Sequence, residues 1–124
     1  MVPIVTIDGP SGSGKGTISK SLALELGWNY LDSGLIYRCY AFLHSSKVNN
    51  IPKEIEKIQH NYSLEDESIN YQGKDITDLI RGSEITKLSS ELSQKEEVRS
   101  KLTMIQETYR KLPGLVAEGR DMSS

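Results

Sequence analysis

The sequence predicts an α/β fold, a parallel sheet whose strands are joined by helical crossovers. Three observations predict it. Val2-Pro3-Ile4-Val5-Thr6-Ile7-Asp8 is a short, β-branched, apolar run that reads as a strand. A glycine-rich turn follows it, and behind the turn Ile18, Leu22 and Leu26 recur at i, i+4 and i+8, one face of a helix. A second strand and helix then come in the same order, which calls for crossovers in a parallel arrangement.

The turn is Gly9-Pro10-Ser11-Gly12-Ser13-Gly14-Lys15-Gly16-Thr17. Glycines let the backbone curl at positive φ and approach a ligand with no Cβ in the way. The curl points successive N–H groups inward, and the following helix adds its positive end. Such a nest binds phosphate. Lys15 would reach the β- and γ-phosphates, and a hydroxyl would ligate Mg²⁺. The general pattern has Ser or Thr directly after the lysine. Here Gly16 stands there and the hydroxyl comes one place later, at Thr17. The form G-x-x-G-x-G-K-G-T resembles the nucleoside-monophosphate kinase version of the loop, and ATP would be the ligand of residues 9–17.

The remaining elements follow in order. Gly27 is a candidate C-cap for the first helix. Trp28-Asn29-Tyr30-Leu31 reads as the second strand, and Asp32-Ser33-Gly34 carries turn and N-cap chemistry. The next helix has Ile36, Tyr40 and Leu43 on one face. From about Ser45 the character changes. Pro52 can start a helix carrying Ile55 and Ile58. Tyr62 to Tyr71 reads as extended structure broken by Glu65-Asp66-Glu67, with a turn at Tyr71-Gln72-Gly73-Lys74 and a short helical piece ending near Gly82. Ser83 can cap a helix with Ile85, Leu88 and Leu92 inward. Ser93-Gln94-Lys95-Glu96 fits a capping box for a helix striped by Val98, Leu102, Ile105 and Tyr109, which Pro113-Gly114 stops. Leu115-Val116-Ala117-Glu118 is a buried strand tipped by an acid. The organisation read from this is a core over 1–44, an insertion over 45–83 and a return to the core over 84–124.

Composition narrows the function. At 124 residues the chain is one domain at most. Its 15 basic and 17 acidic residues nearly balance, so nothing points to nucleic acid or a membrane as partner. The single cysteine, Cys39, has apolar and aromatic neighbours and reads as a buried structural thiol in a reducing compartment. No apolar run approaches membrane-spanning length, and a cytoplasmic monomer is the expectation. His44 and His60 are isolated and read as surface or half-buried histidines.

Three separated stretches now coincide. Ile7 to Thr17, Leu31-Asp32-Ser33-Gly34-Leu35-Ile36-Tyr37-Arg38, and Leu112-Pro113-Gly114-Leu115-Val116-Ala117-Glu118-Gly119-Arg120-Asp121-Met122 resemble the three signatures of bacterial cytidylate kinases. Gly73-Lys74-Asp75-Ile76-Thr77 sits where that family places its monophosphate-binding insertion. The resemblance implies a P-loop nucleoside-monophosphate kinase fold and transfer of the γ-phosphoryl group of ATP, with Mg²⁺, onto CMP or dCMP. By the same resemblance Ser33 helps hold the monophosphate nucleotide, and Arg38 and Arg120 sit on its phosphate, joining Lys15 as catalytic candidates. Ser90, Arg99 and Asp121 read the cytosine, Ser90 and Arg99 being placed by counting back from Arg120 without a gap. The residue types suit the chemistry. The reaction brings two polyanions together, and arginine offers planar, bidentate donors for phosphate. An acceptor at Asp121 with donors at Arg99 and Ser90 complements the edge of cytosine. Glu118, ending a strand beside the loop, could support Mg²⁺ through water while Thr17 binds it directly.

Blander readings stand beside these. Arg38 and Ser90 fit exposed helix surface, Arg99 has Glu96 at ion-pair spacing, Asp121 fits a helix cap and Glu118 a plain strand end. Tyr37 and Tyr40 read as packing. The resemblance also implies that the family continues beyond its third signature, into an arginine-bearing lid and further strands. This chain is then expected to be an N-terminal portion of such a kinase, marginally stable and impaired in turnover. The rival readings are a P-loop kinase for AMP, UMP or shikimate, and a catalytically dead nucleotide-binding module.

Overall fold

The structure, a computed structural model, describes residues 2–119 apart from 9–14. Within these residues the chain forms two compact units. One comprises the residues up to Gly34 and those from Met104 on, and the other is Leu35–Thr103.

The first unit is built on a three-stranded parallel sheet. Strand β1 (Ile4–Asp8) and strand β2 (Asn29–Asp32) flank β6 (Leu115–Gly119) in the order β1-β6-β2. Every residue of β6 is buried, as an apolar run covered on both faces and hydrogen-bonded on both edges should be. The register pairs Ile4 with Leu115 and Asp8 with Gly119 on one side, and Asn29 with Leu115 and Asp32 with Glu118 on the other. The expected α/β class with a parallel sheet is thus the observed one.

Helix α1 (Lys15–Leu26) packs on all three strands. Its inward face departs from expectation. Ile18 and Leu26 are 59% and 43% exposed, while Ser19 and Ala23 are fully buried. Small side chains let the helix backbone approach the sheet closely, and the larger ones are left outside. Gly27 closes α1 as expected: at φ 68° it occupies the left-handed region, and the Trp28 N–H donates to the Ala23 carbonyl at 3.0 Å.

The second unit carries an antiparallel sheet, β3 (Gln59–Tyr62), β4 (Glu67–Tyr71) and β5 (Lys74–Asp75), in the order β3-β4-β5. Gln72 and Gly73, at φ 53° and 78°, make the expected turn between β4 and β5. Helix α2 (Ser33–Ser45) buries Leu35, Ile36, Cys39, Tyr40, Ala41 and Leu43. It follows β2 directly, because Asp32 still pairs in the sheet, so Asp32-Ser33-Gly34 makes no separate turn. Helix α3 (Ile51–Ile55) ends before Ile58. Helix α4 (Thr77–Arg81) packs on β4 and leads to α5 (Ser83–Leu92), whose N-cap is Gly82 and not Ser83.

Helix α6 (Glu96–Glu107) buries Val98, Leu102 and Ile105. The capping box does not form. Ser93 instead ends α5, its N–H bonded to the Ser89 carbonyl and its Oγ donating to the Ser90 carbonyl. Nor does Pro113-Gly114 stop the helix. It ends at Glu107, where the Thr108, Tyr109 and Arg110 N–H groups switch to carbonyls three residues back.

Candidate functional site

In the first unit three parallel strands end side by side. The C-terminal end of β1 leads into the glycine-rich segment, β6 ends on Glu118-Gly119, and β2 runs into Ser33. Helices α1 and α2 both begin at this edge. Each opens with backbone N–H groups that lack intrahelical partners and with a positive dipole end. Parallel α/β sheets bind ligands outside the carboxyl ends of their strands, for the same reason.

Glu118 is 3% exposed and lies on the central strand, in register with Ile7 of β1 and Asp32 of β2. The Tyr30 hydroxyl, two residues before Asp32 and on the same face of the sheet, donates to Glu118 Oε1. A buried carboxylate needs such donors. Ser33 opens α2, and its Oγ accepts a hydrogen bond from Gln106 Nε2 at 3.1 Å. Sequence reasoning missed Gln106. It stands beside Ile105 in the stripe of α6, and a polar residue at a stripe's edge was the only signal available. Thr17, third residue of α1, has an exposed side chain. Lys15 and Gly16 supply the first two residues of the helix. Gly9, Pro10, Ser11, Gly12, Ser13 and Gly14, and likewise Arg120 and Asp121, lie outside the described residues.

Three other candidates belong to the second unit. Arg38 is half-buried on α2, and its Nε is buried with no hydrogen-bond partner among the described residues. Arg99 is exposed on α6, and its charge acts on Tyr37. Burial pushes the Tyr37 phenol above its ordinary range, and Arg99 opposes that in part. Ser90 is exposed on α5, where its carbonyl accepts from Ser93. His60, expected to be isolated, is bonded to Glu67 at 2.8 Å, and Arg81 holds the other oxygen of that carboxylate at 2.6 Å. Cys39 is buried.

Thr17 and Glu118 offer oxygen donors, the kind Mg²⁺ takes. Among the described residues no three His, Cys, Asp or Glu side chains are placed to hold a metal by themselves. No helix among the described residues is long and apolar enough to cross a membrane.

Comparison with known proteins gives the family. The family model described as cytidylate kinase matches residues 5–124. The cytidylate kinase of Nitrosococcus oceani is 39% identical over 133 residues, which cover 99% of this chain and 59% of that protein. That of Nitrosomonas europaea is 40% identical over 99% of this chain and 57% of its own length. That of Thermodesulfovibrio yellowstonii is 38% identical over 100% and 60%. The chain therefore spans 57–60% of the length of these relatives. With the family's match running from β1 past the end of β6, and a parallel sheet whose carboxyl edge carries two helix starts, this chain belongs to the cytidylate kinase family.

Proposed function

We propose that this chain contributes the donor loop and much of the acceptor site of a (d)CMP kinase. The enzyme transfers the γ-phosphoryl group of ATP to CMP or dCMP, giving CDP or dCDP and ADP. An oxygen of the monophosphate attacks Pγ, and the bond from Pγ to the bridging oxygen of ADP breaks. The acceptor is already an anionic oxygen, so positioning and charge neutralisation do the work. Residues 9–17 cradle the ATP phosphates, with Lys15 on the β- and γ-groups. Ser33, Arg38 and Arg120 hold the acceptor phosphate, and Ser90, Arg99 and Asp121 read the cytosine. The segment 45–83 serves the monophosphate side. Mg²⁺, held by the Thr17 hydroxyl and through water by Glu118, would supply neutralisation of phosphate charge. A cytoplasmic monomer remains the expected state.

The observation that carries this reading is the carboxyl edge of the β1-β6-β2 sheet, where two helix N-termini flank a buried acid. The Nε of Arg38, without a hydrogen-bond partner among the described residues, supports a guanidinium kept for an anion. A coupled ADP-release assay across CMP, dCMP, UMP and AMP tests it. Such turnover as the chain supports is expected to favour CMP and dCMP, and Lys15→Ala is expected to abolish it. Preference for AMP would overturn the assignment.

A further inference from the structure

We propose that Gln106 is a positioning residue that fixes the Ser33 hydroxyl as a donor toward the monophosphate nucleotide. The inference rests on the kinase reading above. Ser33 is the first residue of α2, at the carboxyl edge of the parallel sheet, and its Oγ accepts from Gln106 Nε2 at 3.1 Å. A serine hydroxyl has one proton and two lone pairs, whereas an amide nitrogen of glutamine only donates. With one lone pair committed to Gln106, Ser33 keeps its proton and one lone pair, and of these only the proton can serve an acceptor. The nucleotide presents acceptor oxygens, so a hydroxyl already set as donor meets it without reorientation. Gln106 can hold this setting because its helix is anchored beside it by the buried Ile105.

Calorimetric titration of the chain with CMP, and separately with ATP, tests the proposal in Gln106→Met, Gln106→Glu and Ser33→Ala. Methionine keeps the length and removes the donor. Glutamate keeps the shape but only accepts, and so draws the Ser33 proton to itself. Gln106→Met is expected to weaken CMP binding about three- to tenfold, the effect of one neutral hydrogen bond. Gln106→Glu should weaken it further, and both should leave ATP affinity unchanged. In the Ser33→Ala background, Gln106→Met should have no additional effect, an outcome that a purely structural role would not produce. CMP affinity unmoved by both Gln106 variants, or the same loss in the Ser33→Ala background, overturns the inference alone. A wild-type chain that binds no CMP overturns the kinase reading and the inference with it.

Discussion

Gly114 lies against the indole of Trp28. A Cβ at this position would stand 2.5 Å from Trp28 Cδ2 and 2.7 Å from Cε2 and Cε3. A rigid ring cannot swing aside as a long chain can, so the backbone would have to move. It is held on both sides: the Asn29 N–H donates to the Gly114 carbonyl at 2.9 Å, and the Leu115 N–H to Pro3 at 3.0 Å. Gly114→Ala should therefore destabilise the protein by about 1–3 kcal/mol. Urea denaturation followed by far-UV circular dichroism reads the effect, and Trp28→Leu in the same chain, which removes the ring, should recover part of it. The sequence suggests Pro113-Gly114 as a helix stop, although the helix ends earlier, at Glu107, and a local reading can show no more. What makes the glycine necessary is a ring far away in the chain. Tyr30 and Glu118 make the same point. The acid at the tip of the last strand was legible as a candidate, but not the phenol that donates to it from β2. Tyr30→Phe removes that donor from a buried carboxylate and should cost about 1–3 kcal/mol in thermal unfolding.

Elements were legible where their signals are local. Strand β1 and helix α1, the Gly27 cap and the three strands of the parallel sheet follow from β-branched runs and glycine placement. Which face of an element turns inward depends on its neighbour, and α1 shows the consequence. Ile18, Leu22 and Leu26 form the more hydrophobic stripe, yet Ser19 and Ala23 meet the sheet. Ala23→Leu should then destabilise by about 1–3 kcal/mol through overpacking, whereas Leu26→Gln should stay within about 0.5 kcal/mol. The opposite order in chemical denaturation would refute the assignment of the faces. The β4–β5 hairpin is a second case. Gln72 and Gly73 both have positive φ, the pattern of a type I′ turn. Asparagine adopts that conformation more readily than glutamine. Gln72→Asn is expected to raise the unfolding midpoint modestly.

At the scale of the whole molecule the charge is nearly balanced, so pH acts through particular pairs and not through bulk repulsion. Two carboxyls of the second unit sit below their ordinary range. Glu54 is held down first by its hydrogen bond to Lys57 and then by that from the Tyr71 hydroxyl at 2.7 Å. Asp75 is held down by the Thr77 hydroxyl and then by the Thr77 N–H. A carboxyl whose folded value is depressed contributes stability above its unfolded value and loses it as pH falls through the folded one. Tyr71 has the opposite sense. Its bond to Glu54 raises the phenol, so its contribution is complete below the ordinary tyrosine value and lost as pH rises through the raised one. Stability should thus form a plateau bounded by an acid arm below the normal carboxylate range and an alkaline arm above the normal phenol range. Glu54→Gln, which keeps an acceptor for Tyr71 but cannot titrate, should flatten the acid arm. Tyr71→Phe should flatten the alkaline one and leave most of the acid arm, because Lys57 still holds Glu54. The thermal midpoint measured across pH in the three proteins decides it. Equal acid arms in wild type and Glu54→Gln would show that the pair between α3 and β4 does not govern the response.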